Sequence, residues 1–172
     1  MEISSNKRSF REEGMIILIS LERQKLYVID GDKIIKEYPV STSKYGKGND
    51  KDSEKTPTGI HRIYKKIGEG MPPDTYFIGR VPYTKEEAEK KFGELKDKIT
   101  ARIIWLEGCE EGINKGKNEE GKIVDTKERY IYIHGTPEDI SSPSSRGCIR
   151  MRNEDIIELF DMVRENDLVL IF

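Results

Sequence analysis

Two side chains suited to nucleophilic chemistry stand close together in this sequence. His134 lies in Ile131-Tyr132-Ile133-His134-Gly135-Thr136, and Cys148 lies in Ser144-Ser145-Arg146-Gly147-Cys148-Ile149-Arg150-Met151. A cysteine attacks a carbonyl as its thiolate, and an ordinary thiol pKa of roughly 8.5 leaves little thiolate at neutral pH, so a nearby imidazole is the usual proton acceptor. His134, fourteen residues before Cys148, is the candidate base. Gly147 lets the backbone turn sharply, which makes the N–H groups of Gly147 and Cys148 candidates for binding a developing oxyanion. No Asp or Glu is placed to orient the imidazole, since Glu138 and Asp139 fall in the intervening loop; the carbonyl of Gly135 is the candidate acceptor for its other nitrogen. On spacing alone, a buried structural cysteine is the competing reading.

Other chemistry-bearing residues divide between a functional and a structural reading. Arg150 could grip a substrate carboxylate through its two-pronged guanidinium, or pair with an acidic residue of the closing helix. Tyr130 and Tyr132 alternate with Ile131 and Ile133 and should share one strand face, as packing or as pocket wall. His61 reads as a satisfied histidine without a role, and Cys109 as a free thiol, because a bridge to Cys148 would silence the nucleophile. The set His61, Cys109, His134 and Cys148 has the right ligand types for a metal but no ligand spacing. The reading requires no metal and no cofactor.

Short β-prone runs must position these residues. Met15–Ser20, Gln24–Asp30 and Lys33–Val40, with a turn at Asp30-Gly31, read as an antiparallel meander in which Leu26, Val28, Ile34 and Tyr38 mark a half-buried face. A turn at Thr56-Pro57-Thr58-Gly59 leads into a strand over Ile60–Lys65. Thr84, with Glu87 three residues on, caps a helix carrying Ala88, Phe92, Leu95 and Ile99. Ile103–Leu106 and Tyr130–His134 are strands, Asn153 caps a closing helix with Ile156, Ile157, Phe160 and Val163 on one face, and Leu168–Phe172 is a last strand. Residues 107–128 read as an exposed loop, and the longer stretch from Val81 to Arg129 as a helix-and-loop lid or a structural insertion. The expected fold is mainly β with two helices (α+β), and no glycine-rich dinucleotide loop is present.

The chain's 172 residues suit one domain, read as a flexible N-terminal segment over 1–14 followed by a catalytic domain over 15–172. Lys plus Arg number 30 against 32 Asp plus Glu, so charge is mixed in sign and nucleic acid is not an expected partner. The longest apolar run, Met15 to Ile19, is far short of the roughly 20 residues that cross a bilayer, and residues 1–13 lack the apolar centre of a secretory signal. No stable membrane insertion is expected.

Several motifs in order give the sequence a family likeness. Gln24-Lys25-Leu26-Tyr27-Val28, Tyr38-Pro39-Val40-Ser41-Thr42-Ser43, Thr56-Pro57-Thr58-Gly59, His134-Gly135 and Ser145-Arg146-Gly147-Cys148-Ile149-Arg150 together resemble the L,D-transpeptidase catalytic domain, the YkuD-type family of peptidoglycan cross-linking enzymes, from about Ile16 to Phe172. The resemblance implies a β-sandwich-like fold with an inserted helix/loop lid and a C-terminal helix. It implies a cysteine that takes an acyl group from a peptidoglycan stem tetrapeptide at the diaminopimelate–D-Ala bond and passes it to an amine. Carried over by position, Cys148 is the nucleophile, His134 the base, Gly135 the carbonyl that orients it, and Gly147 and Cys148 the oxyanion donors; Arg150, Arg146, Ser145 and Tyr132 are candidate substrate contacts. Two positions depart from the pattern: Arg146 stands where the family usually has histidine, placing a permanent cation beside the thiol, and Ser43 stands where glycine is common. Carbapenems, which acylate family nucleophiles, are implied as covalent inhibitors. The implied location is the periplasm or cell envelope, with a leader removed. A hydrolase using the same acyl-enzyme and a catalytically silent wall-binding module are the alternatives.

Overall fold

Alternating apolar residues in short runs build most of the molecule. The computed structural model describes residues 14–172, so the flexible-segment reading of 1–14 falls, apart from Gly14, outside the described residues. Strands β1 (Ile16–Ser20), β2 (Lys25–Asp30) and β3 (Lys33–Pro39) form the meander, followed by β4 (Gly59–Ile67) and the small hairpin β5 (Tyr76–Ile78) and β6 (Val81–Tyr83). Helix α1 (Lys85–Phe92), strands β7 (Ile99–Gly108), β8 (Tyr132–Thr136) and β9 (Ile149–Arg152), helix α2 (Asn153–Met162) and strand β10 (Leu168–Ile171) complete the chain. The ten strands make one continuous, curled sheet in the order β3-β2-β1-β10-β4-β7-β5-β6, with β8 added to β7 and β9 to β8. The mainly β class with two helices is what the sequence indicated. Among the described residues, no helix is long and apolar enough to cross a membrane.

Period-two alternation puts two different faces on the central strands. Ile104 and Leu106 of β7, Ile133 of β8, Ile149 and Met151 of β9, and Ile156, Leu159 and Phe160 of α2 join the main core. The opposite face carries Ile103 and Trp105 of β7 and Tyr132 of β8, with Cys148 packed against them. Burial on both faces accounts for the unbroken apolar run Ile103–Leu106.

Several local expectations are corrected. Helix α1 keeps its capping box, in which Thr84 and Glu87 exchange hydrogen bonds, but stops at Gly93, whose φ of +74° a β-carbon would disfavour; Leu95 and Ile99 therefore leave the helical series, and Ile99 opens β7. The Val81–Arg129 stretch is no single lid, because β7 runs through it at the heart of the sheet. Residues 107–128 are not simply exposed: Asn114, Val124 and Thr126 are buried, and the Asn114 side chain bonds the carbonyls of Thr58 and Ile60. Ile34 is 62% exposed because β3 is an edge strand and a bulge at Val28/Ile29 shifts its register. Asn153 is the first residue of α2 rather than its cap; Arg152 holds that position without a side-chain bond, while Asn153 Oδ1 accepts from Thr100 Oγ1 at 2.6 Å.

Candidate active site

Parallel pairing of β8 with β9 sets His134 opposite Arg150 and Ile133 opposite Ile149. Because side chains alternate, Tyr132 and His134 share the face that carries Cys148 and Arg150, while Ile133, Ile149 and Met151 point into the core. Cys148, directly before β9, is thus one diagonal step from His134 on neighbouring strands. The sulfur is half-buried, packed against the Tyr132 and Trp105 cluster. It accepts a hydrogen bond from the Tyr132 N–H at 3.4 Å and faces the Tyr130 carbonyl at 3.5 Å.

His134 is 3% exposed, and its Nδ1 lies 2.7 Å from the Gly135 carbonyl oxygen. An Nδ1–H donated to that carbonyl leaves Nε2 as the acceptor nitrogen. Nε2 makes no hydrogen bond among the described residues, and it is not one of the two sealed, unpartnered polar atoms, which are Asp30 Oδ1 and Arg102 Nε. Gly135 also permits close packing. A β-carbon there would lie 2.5 Å from the Thr100 carbonyl oxygen and 2.6 Å from Asn153 Oδ1, so only glycine lets β8 approach β7 and α2 this closely.

Burial governs the charge states. Desolvation pushes the Cys148 thiol up to about 11, although the Tyr132 N–H and the guanidinium groups of Arg150 and Arg129 pull it down. Desolvation and then the Arg150 charge hold His134 down at about 4, against the opposing pull of its Gly135 bond. At neutral pH the pair is a thiol and a neutral imidazole, not a preformed ion pair.

The loop that ends at Cys148 is fastened from within and from two upstream motifs. Gly147 turns at φ +130°, and Thr56 Oγ1 donates to its carbonyl at 3.0 Å. The Ser144 and Ser145 N–H groups both donate to the Thr42 carbonyl at 3.0 Å, and Ser41 exchanges backbone hydrogen bonds with Arg150. Ser43 fills the glycine-like position by donating its hydroxyl to the Glu54 carbonyl and accepting from the Tyr45 N–H.

The structure separates the expected substrate contacts. Ser145 is 1% exposed; its hydroxyl donates to the Cys148 carbonyl at 2.6 Å and accepts from the Gly147 N–H at 3.2 Å. It therefore braces the loop from inside and does not face a ligand. The same bond occupies one of the two expected oxyanion donors, leaving the Cys148 N–H as the one without an acceptor among the described residues. Arg150 is buried and paired with Asp97, Glu138 and the Ser144 hydroxyl, so its partners come from the segments before β7 and after β8, not from the closing helix. Tyr132 is 5% exposed and its hydroxyl accepts from Arg80 Nη1 at 3.0 Å. Tyr130 lies outside the strand with φ +54°, yet its ring and that of Tyr132 both stand 5.7 Å from Trp105. Arg146 is exposed beside a cavity of about 690 Å³ that it lines with Lys51, Asp52, Glu54, Glu128 and Arg129. Arg150 and Arg129 are the cations that pull the Cys148 thiol down.

Arg129 went unnoticed in the sequence, since nothing in its local pattern distinguishes it. His61 is buried with both ring nitrogens satisfied, by the Gly59 carbonyl at 3.0 Å and Thr126 Oγ1 at 2.9 Å. Cys109 is a free thiol accepting from Arg62 Nε.

Comparison with known proteins agrees with this fold. Three solved structures share the fold. An L,D-transpeptidase from Stackebrandtia nassauensis is 21% identical, with a TM-score of 0.54, covering 94% of this chain and 56% of its own. One from Xylanimonas cellulosilytica is 15% identical, with a TM-score of 0.55, covering 93% and 61%. The L,D-transpeptidase LdtMt1, solved in complex with imipenem, is 15% identical, with a TM-score of 0.53, covering 92% and 59%. This chain therefore spans less than two thirds of each. No curated protein matches it in sequence. The family described as L,D-transpeptidase catalytic domain matches residues 14–171, and the chain belongs to that family.

Proposed function

We propose that this domain is a cysteine acyltransferase of peptidoglycan stem peptides. The observation that carries the reading is the placement of Cys148, directly before β9, on the same sheet face as His134 of the adjacent β8, with the imidazole held by Gly135 so that Nε2 is free. Cys148 Sγ attacks the carbonyl between diaminopimelate and the terminal D-Ala while Nε2 of His134 takes the thiol proton. The Cys148 N–H faces the oxyanion. Collapse of the tetrahedral adduct breaks the C–N bond, and His134 returns the proton to the departing D-Ala amine, leaving a thioester on sulfur. An acceptor amine then attacks the thioester, loses its proton to Nε2, and the released sulfur takes that proton back.

A half-buried thiol that desolvation holds near 11, paired with an imidazole near 4, makes proton transfer concerted with bond formation. The unattacking thiol stays protonated and inert, which limits side reactions. Arg150, neutralised by Asp97 and Glu138, orders the site and tunes its charge rather than gripping the substrate. Arg146, projecting beside the charged cavity, is the better-placed residue for a substrate carboxylate. Peptidoglycan as substrate places the work in the cell envelope, and a carbapenem such as the imipenem bound by LdtMt1 is the expected covalent inhibitor at Cys148.

The test is product analysis with a tetrapeptide donor, with and without a diaminopimelate-bearing acceptor. Acceptor-dependent cross-linked product with release of D-Ala is expected. Free tripeptide as the sole product in both arms would replace the transferase by a hydrolase.

A further inference from the structure

The loop Gly48–Lys55 borders the charged cavity that Arg146 lines, and two of its acidic residues adopt a backbone that side chains disfavour, Asp52 at φ +65° and Glu54 at φ +60°. Tyr130, which also lines the cavity, is at φ +54°. Such conformations persist where surrounding contacts overdetermine them. Ser43 holds the Glu54 carbonyl and Ile123 the Lys51 N–H, and one further side chain reaches both ends of the loop. Arg129 Nη1 donates to the Gly48 carbonyl at 3.2 Å, and Nη2 donates to the Lys55 carbonyl at 2.5 Å and Ser53 Oγ at 3.4 Å. The guanidinium thus spans both ends of the loop. It also lies over the nucleophile turn: a β-carbon at Gly147 would sit 3.9 Å from Nη2 and 3.3 Å from the Lys55 carbonyl.

We propose that Arg129 is a positioning residue of this site, clamping the strained Gly48–Lys55 loop over the Gly147-Cys148 turn so that one fixed cation both shapes the adjoining cavity and favours loss of the sulfur proton. The inference rests on Cys148 being the nucleophile of the proposed reaction. Electrostatics point the same way, since Arg129 is among the groups that lower the thiol pKa. Only a planar fork reaches three acceptors at both ends of a loop; a lysine keeps the charge but not that geometry. The charged and titratable neighbours bearing on the sulfur are Tyr130, next to Arg129, Tyr132 and His134 on β8, Arg150 on β9, Asp97 before β7 and, through the Tyr132 hydroxyl, Arg80 in the β5–β6 turn. Removing Arg150 would also unpair Asp97, which raises the thiol, so Arg129 is the cation whose removal changes a single charge near the sulfur.

The experiment compares wild type, Arg129→Gln and Arg129→Lys in the full chain. Alkylation of Cys148 by iodoacetamide is followed by peptide mapping from pH 7 to 11, which separates it from Cys109, and hydrogen exchange is read at the Gly48–Lys55 amides. Arg129→Gln is expected to alkylate about three- to tenfold more slowly at fixed pH below the thiol pKa, with faster loop exchange. Arg129→Lys should alkylate close to wild type yet still exchange faster, a separation that a merely structural role would not produce. Wild-type alkylation in Arg129→Gln, or wild-type loop exchange in either variant, overturns the proposal. Should Arg129→Gln fail to fold, Arg129→Lys decides: slow loop exchange, or alkylation as impaired as the loop is loosened, contradicts it. Iodoacetamide needs no peptide, so a wild type inert toward stem peptides but showing these Arg129 effects would sink the transferase reading alone.

Discussion

His134 Nδ1 lies 2.7 Å from the carbonyl oxygen of Gly135, the next residue in the chain. The imidazole is therefore oriented by its own backbone and not by a carboxylate. A neutral acceptor fixes the tautomer without stabilising an imidazolium as a carboxylate would, which fits a histidine that burial holds at about 4.

The pH dependence of acylation follows directly. The base must be unprotonated, so the rate should rise with pH through a midpoint near 4 and stay level across neutrality, with sulfur ionising in its own right only near 11. Initial rates of imipenem acylation from pH 3.5 to 9 check this. A rise centred near the ordinary histidine value of about 6.5 would contradict the buried, neutral imidazole.

Stability should fall on mild acidification. His134 and His61 are both held near 4 in the fold, whereas an unfolded histidine titrates at about 6.5. Between those values the unfolded chain binds more protons, so stability is present above about 6.5 and is lost as pH falls toward 4. With two such groups the slope should approach about 2.5 kcal/mol per pH unit near pH 5.5. Urea unfolding at pH 7, 6 and 5.5 measures it; His61→Gln should halve the slope, and no slope would refute the burial of both rings.

Ser145→Ala removes the partner of both the Cys148 carbonyl and the Gly147 N–H. Leaving buried groups unpaired should cost about 1–3 kcal/mol and lower the melting temperature, with acylation slowed by a loosened nucleophile turn. An unchanged melting temperature with selective loss of peptide binding would instead make Ser145 a substrate contact.

Arg146→His restores the residue usual in the family. Because Arg146 is exposed and lines the charged cavity, the pH profile of Cys148 alkylation should stay as in wild type, and any change should fall on KM for the peptide donor. A displaced alkylation profile would show that Arg146 acts on sulfur after all.

Legibility of this site in the sequence tracked contact distance along the chain. The His-Gly and Gly-Cys pairs could be read because each works through its own backbone, Gly135 by carbonyl and close approach, Gly147 by its positive φ. The strand alternation around Ile131–Thr136 was equally local, whereas the end of α1 at Gly93 overrode a helical series that looked continuous through Ile99. What could not be read depended on distant partners. Arg150 meets Asp97 across 53 residues, and Arg129 meets Gly48 across 81. Ser145 carries no local sign that its hydroxyl turns inward. The Val-Ser-Thr-Ser and Thr-Pro-Thr-Gly segments were recognisable by likeness, but their physical role, cradling the Ser144–Cys148 loop through Thr42 and Thr56, emerges only in three dimensions.

Whether Cys148 is an acylatable nucleophile served by His134 is decided by intact-mass measurement after incubation with imipenem. One covalent adduct is predicted on the wild-type chain, none on Cys148→Ala, and formation slowed by about 10²–10⁴-fold on His134→Ala. A wild-type chain that gains no mass at any pH from 5 to 9, or an adduct that persists in Cys148→Ala, would contradict that pairing.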